Sequence, residues 1–206
     1  MSARKRAAGL KGRKFEIEIL TRTEVEALIR ACSSRAPTGI RNRALIGLLY
    51  RSGCRIGAAL KLKPRDLDRE AGTVNLRLGK NDKSQVVGLD ATGFALVDRW
   101  LDHRRTIGIT ARSPIFCTLK GGRLSPVYVR NLFHRLGDKA GITKRVHPHG
   151  LRHSLASELV RDGVPLNLIQ RQLCHSNLAT TSRYVESLHP GELIKAIQAR
   201  QWAFDA

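Results

Sequence analysis

Nowhere does the 206-residue chain string together the roughly 18 apolar residues that a bilayer-spanning helix needs, so no transmembrane segment is expected. No apolar segment follows the basic N-terminus, which argues against a secretory signal. The four cysteines (Cys32, Cys54, Cys117 and Cys174) are scattered and form no Cys-x-x-Cys pair. They point to reduced thiols in a cytoplasmic setting, not to a disulfide framework. Internal repeats and low-complexity linkers are missing as well, which favours one domain. The scarcest commodity is negative charge: 17 Asp+Glu face 37 Lys+Arg, a formal net charge of +20. Such a surplus asks for a polyanionic partner. Without a basic amphipathic anchor, nucleic acid ranks ahead of an acidic membrane.

What is present is a globular pattern, with 42% apolar residues recurring at helical spacing. Residues 1–14 hold Arg4, Lys5, Arg6, Lys11, Arg13 and Lys14 and no acid, and read as a flexible tail able to lie on a phosphate backbone. Thr21 or Thr23 can cap a first helix that buries Val25, Leu28, Ile29 and Cys32. A second helix is predicted from about Ile40 to Ser52, after Pro37 and Gly39, and Gly53 ends it. A short third runs from Ile56 to Leu62, stopped by Pro64. Val74, Leu76 and Leu78 alternate with polar residues, and a turn-rich stretch leads into a partner strand from Ser84 to Leu89, giving a hairpin. Helices then resume on the stripes Phe94-Val97-Trp100-Leu101, Val129-Leu132-Phe133-Leu136-Ala140 and Leu151-Leu155-Leu159, with Pro165 opening another. A last helix carries Leu193, Ile194 and Ile197. The predicted fold is mainly α with a small antiparallel β-sheet (α+β), a single domain over residues 15–206.

Four of the seven histidines (His147, His149, His153 and His175) fall close together in sequence, interleaved with Arg152, Arg171 and Arg183 and followed by Tyr184. His149 and Arg152 are three apart, so a helix starting there shows both on one face, near an N-terminus that welcomes anionic oxygen. A zinc site on His149, His153, Cys174 and His175 is the competing reading. Arg152 between the histidines, and the lack of neighbouring carboxylates, weigh against it. His147 and His153 individually read as structural. No metal or other cofactor is expected.

Distant stretches then fall into one pattern. Tyr50-Arg51-Ser52-Gly53-Cys54-Arg55-Ile56-Gly57-Ala58-Ala59-Leu60, with Asp66-Leu67 after it, is followed by Gly79-Lys80-Asn81-Asp82-Lys83. His149-Gly150-Leu151-Arg152-His153-Ser154 comes next. Leu173-Cys174-His175-Ser176, Thr180-Thr181 and Tyr184 close the series. In this order the boxes resemble the tyrosine recombinase (phage integrase) family, over about Leu20 to Ala199. The resemblance implies the catalytic-domain fold of that family and metal-free cleavage and rejoining of double-stranded DNA. It assigns Tyr184 as the nucleophile that forms a 3′-phosphotyrosine, and Arg55, Arg152 and His175 as donors to the scissile phosphate. It makes His149 the partner for the tyrosine proton and Lys80 the acid for the leaving 5′-oxygen, with Lys83 an alternative lysine in the same turn. Arginine suits the donor role because its planar fork matches two phosphate oxygens at once.

The resemblance further implies a homo-oligomer, a tetramer on DNA, with the apolar C-terminal segment reaching a neighbouring subunit. Two readings compete: a DNA-binding module of this fold with little turnover, and a type IB topoisomerase-like enzyme. Ala58 stands where the family usually has an acid, and Cys174 where it usually has Gly. A Cys is expected to be small enough for that place, with a thiol that is oxidation-sensitive beside cationic groups. The family's usual N-terminal core-binding domain has no counterpart before Leu20. The chain therefore reads as a minimal recombinase or an excised catalytic domain, with steeply salt-dependent binding.

Overall fold

Thr21 caps the first helix. Its hydroxyl accepts the Glu24 N–H while the Glu24 carboxylate accepts the Thr21 N–H, a reciprocal capping box. In this computed structural model, residues 18–78 and 83–174 are described, together with the isolated position 198. Helix α1 (Arg22–Arg30) turns Val25 and Leu28 inward. Helix α2 (Pro37–Ser52) begins three residues earlier than the sequence pattern suggests. Pro37 takes the first-turn position, where its missing N–H costs nothing, so it starts the helix and does not merely precede it. Gly53 ends α2 in the left-handed region, φ 65°, returning its N–H to the Leu49 carbonyl.

Helix α2 is buried on nearly every side: Leu45, Ile46, Leu48 and Leu49 have no exposed surface at all. An all-round buried helix must lie at the centre of its domain. It packs mainly on α4 (Ala91–Thr106) and α6 (Pro148–Arg161). Each fully buried leucine contributes on the order of 1.5–3 kcal/mol, which makes this layer the principal source of stability.

Between them come α3 (Ile56–Ala59), shorter than expected because Leu60 already caps it, and a 3-10 turn at Pro64–Asp66. The sheet has three strands in the order β1-β2-β3: β1 (Leu67–Asp68), β2 (Thr73–Leu78) and β3 (Lys83–Gly88), all antiparallel. The register pairs Leu78 with Lys83 and Thr73 with Gly88. The hairpin is therefore as predicted, and β1 adds a short edge at the Asp66-Leu67 step.

Helix α5 (Pro126–Lys139) is capped by Ser125, and α6 by His147, whose Nδ1 accepts the Gly150 N–H at 2.8 Å. His147 thus has the structural role expected of it. A Cβ on residue 150 would meet that nitrogen at 2.7 Å, so Gly150 is what lets the cap close. Helix α7 (Leu166–Gln172) is held on α6 by a smaller apolar cluster of Leu155, Ala156, Ile169 and Leu173. Among the described residues no helix is long and apolar enough to cross a membrane. The basic tail (Arg4, Lys5, Arg6, Lys11, Arg13, Lys14) and the expected C-terminal helix lie outside the described residues, apart from position 198.

Candidate active site

The site begins at the sharp end of α2. Ser52 folds its hydroxyl back onto the Leu48 carbonyl (2.6 Å), Gly53 reverses the chain, and Cys54 goes under cover. Arg55 emerges exposed at the N-cap of α3, contributing no side-chain cap bond. Gly53 is required twice over: its φ is left-handed, and a Cβ there would meet Leu173 Cδ2 at 2.6 Å and Leu155 Cδ2 at 2.9 Å. The closeness measures how tightly the α2 end, α6 and the α7 end converge.

Arg152 is what crosses that junction. It is 2% exposed; one Nη donates to the Gly53 carbonyl at 2.5 Å and the other to the Leu173 carbonyl. One guanidinium thereby ties the first-arginine turn to the residue two before His175. Carbonyl oxygens carry no formal charge, so these two bonds fix the side chain without cancelling its positive charge.

His149 lies one helical turn before Arg152, with its ring edge-on to His153 at a centroid distance of 4.4 Å. Although its outer side is exposed, loss of hydration pushes its pKa below the ordinary histidine value, and the charges of Arg152, His147 and Arg55 push the same way. The imidazole is consequently neutral near pH 7 and able to take up a proton. Burial raises the Cys174 thiol, against the lowering pull of Arg152 and Arg55. His149 and Cys174 both sense both arginines, so the four groups share one electrostatic field.

Two expectations about Cys174 need correction. Size is not what its position demands: its φ is 52°, the left-handed backbone in which a side chain is disfavoured, and this explains why glycine suits the place. Nor is the thiol activated, since burial outweighs the cations and keeps it protonated, hence poorly reactive. Cys54 beside it is likewise pushed up to about 11 by burial. Ala58 is 7% exposed and packs in the main core.

Of the predicted site residues, the structure brings together Arg55, His149 and Arg152. Lys80, His175 and Tyr184 lie outside the described residues; Lys83 is placed as the first residue of β3. Among the described residues, no group of three His, Cys, Asp or Glu is arranged to hold a metal ion. Sequence reasoning missed Gln172, whose amide bonds to both Gly88 and Ser52. No periodicity signals it, because its partners are backbone groups remote in sequence.

The model of the phage integrase family matches residues 18–189. The chain is 32% identical over 180 residues to tyrosine recombinase XerC of Halalkalibacterium halodurans, covering 84% of this chain and 59% of that protein. It is 38% identical over 169 residues to the type 1 fimbriae regulatory protein FimE of Escherichia coli K12, covering 82% of this chain and 85% of that one. Among solved structures, XerA recombinase superposes with a TM-score of 0.76 at 29% identity, over 90% of this chain and 66% of its own. XerH site-specific recombinase, in a post-cleavage complex with its palindromic difH substrate, gives 0.74 at 29% identity, over 89% and 53%. The chain spans about half to three-fifths of the length of the XerC proteins it matches.

Proposed function

The chain belongs to the phage integrase family, and from that premise we propose that it is a site-specific tyrosine recombinase acting on double-stranded DNA. The phenol of Tyr184 attacks the scissile phosphorus while its proton passes to His149. The P–O5′ bond breaks, Lys80 protonates the departing 5′-oxygen, and a 3′-phosphotyrosine remains. Arg55, Arg152 and His175 stabilise the charge that builds on the non-bridging oxygens. Attack by the 5′-hydroxyl of another strand reverses these steps and rejoins DNA in a new pairing. The phosphotyrosine conserves the energy of the bond, so no nucleotide cofactor is consumed.

The observation that carries this reading is the junction held by Arg152. It joins the Arg55 turn, the His149 helix and the approach to His175, three segments far apart in sequence, around one cationic field. The basic tail of residues 1–14 contributes contacts to flanking phosphates, and residues 15–206 form the catalytic domain. The enzyme works in the cytoplasm of a prokaryotic or viral system, as a tetramer on DNA with the apolar C-terminal segment docked in trans.

A second reading, a DNA-binding module with little turnover, is favoured by one feature: Ala58 brings no carboxylate to the place where the family usually has one. A trapping assay separates the two. A site selected from the source DNA by binding is rebuilt as a nicked duplex whose short fragment diffuses away after cleavage. The wild type is expected to form a covalent protein–DNA adduct and Tyr184→Phe none. Absence of adduct from both, with binding intact, rejects the recombinase. Relaxation of supercoils without strand exchange would favour the topoisomerase-like alternative.

A further inference from the structure

Strand β3 lies at the edge of the sheet, and an edge strand leaves a row of backbone N–H and C=O groups to be satisfied. At Gly88 the partner is a side chain. The Gly88 N–H donates to Gln172 Oε1 at 2.9 Å, and Gln172 Nε2 donates to the Gly88 carbonyl at 2.9 Å. The amide thus pairs with the strand edge as a further strand would. The same Nε2 also donates to the Ser52 carbonyl at 3.0 Å.

One side chain therefore ties together the base of the hairpin, the last residue of α2 and the last turn of α7. Each neighbouring carbonyl (Gly53 after Ser52, Leu173 after Gln172) accepts from Arg152. Gln172 and Arg152 are adjacent rivets through the same two segments, and Gln172 also reaches the hairpin at Gly88.

We infer that Gln172 is a positioning residue that sets the angle at which the β2–β3 hairpin leaves the helical core, and with it the position of the strand ends, Leu78 and Lys83, that flank Lys80 in sequence. The inference rests on the recombinase reading, in which Lys80, between those strand ends in sequence, is the acid for the leaving oxygen. The lever is long. At ~3.3 Å per residue, the strand from Gly88 to Lys83 spans roughly 17 Å, so a rotation of about 4° at its base moves its far end by about 1 Å. A misplacement of ~1 Å can cost about 100-fold in rate. Arg55 and Arg152 are not carried on the hairpin, so losing Gln172 should harm leaving-group protonation more than phosphate binding.

The test compares wild type, Gln172→Leu, Gln172→Glu and Lys80→Ala in single-turnover adduct formation. Two nicked substrates are used, one ordinary and one with a bridging sulfur in place of the scissile 5′-oxygen. A thiolate leaves without protonation, so the sulfur substrate bypasses the acid. Gln172→Glu keeps an acceptor for the Gly88 N–H and loses both donations, which guards against a leucine variant that does not fold. Both variants are expected to be about 10–100-fold slower on the oxygen substrate and within about threefold of wild type on sulfur, the pattern also expected of Lys80→Ala. Equal losses on both substrates, full activity on oxygen, or failure of both Gln172 variants to fold would each overturn the inference. Rescue of Lys80→Ala without rescue of the Gln172 variants would do the same, leaving the acid role of Lys80 intact. Absence of adduct from the wild type on either substrate would instead remove the recombinase reading beneath it.

Discussion

Three glycines separate the contributions that hold the site junction together. Gly53 has a left-handed φ of 65° and no room for a Cβ, which would lie 2.6 Å from Leu173 Cδ2 and 2.9 Å from Leu155 Cδ2. Gly163 has a similar φ of 74° with nothing within 4 Å, and Gly57 sits in α3 with nothing within 4 Å. Substitution of each by alanine therefore isolates one effect. The left-handed region costs an L-residue about 1–2 kcal/mol, offset by about 0.4–1 kcal/mol from the stiffer unfolded chain. Gly163→Ala should accordingly destabilise by about 0.5–1 kcal/mol. Gly57→Ala gains helix propensity and should stabilise by up to about 1 kcal/mol. Gly53→Ala adds overpacking, typically ~1–3 kcal/mol, for a total of about 1.5–4 kcal/mol. Urea unfolding of the three variants, with unchanged denaturant slopes, measures the series. If Gly53→Ala is no worse than Gly163→Ala, the tight convergence of α2, α6 and α7 is wrong. If Gly163→Ala matches Gly57→Ala, the backbone argument fails.

Two further outcomes follow from the same groups. Cys174→Gly should stabilise the protein by about 0.5–1 kcal/mol, because it releases a side chain from φ 52°, whereas Cys174→Ala keeps the strain; equal stability of the two variants would discard this account. With the His149 pKa held below 6.5 by lost hydration and by Arg152, His147 and Arg55, its proton-accepting form persists on acidification. The acid limb of single-turnover cleavage should therefore fall below pH 6.5 and vanish in His149→Gln. A limb centred above pH 6.5 in the wild type would contradict it.

Helix order and the hairpin were legible in the sequence because they rest on local rules: period 3.6, period 2, caps and glycine stops. The start of α2 was misjudged, since proline ends some helices and begins others, and only the chain that follows decides which. The residues of the site were legible through motif spacing, yet their connections were not. Nothing local reveals that Arg152 crosses to Gly53 and Leu173, or that Gln172 completes the edge of β3, because both bind backbone atoms and so leave no side-chain pattern. Cys174 shows the same limit: its position demands a backbone conformation, and the letter Cys suggested a question about size.

The charge surplus also divides in a way that composition could not reveal. Arg41 is 2% exposed and donates to the Cys117 carbonyl at 3.0 Å and to the Tyr128 hydroxyl at 2.9 Å. Arg104, 1% exposed, is wrapped by the carbonyls of Thr110, Ser113, Pro114 and Ile115. Both hold neighbouring segments by their backbone carbonyls and, being buried, present little surface to a polyanion. Arg152 shares their burial and their carbonyl partners, but it stands in the field of His149 and Cys174 alongside exposed Arg55. The pair is asymmetric for a physical reason. A donor locked in place by the fold requires no reorganisation when charge develops on the phosphate, whereas an exposed donor can follow the phosphate as its geometry changes. A lysine at position 152 has one ammonium in place of a planar fork and cannot span the Gly53 and Leu173 carbonyls in the same way. It would loosen the junction even where it preserved the charge, so the demand for arginine there comes from the fold before it comes from the chemistry.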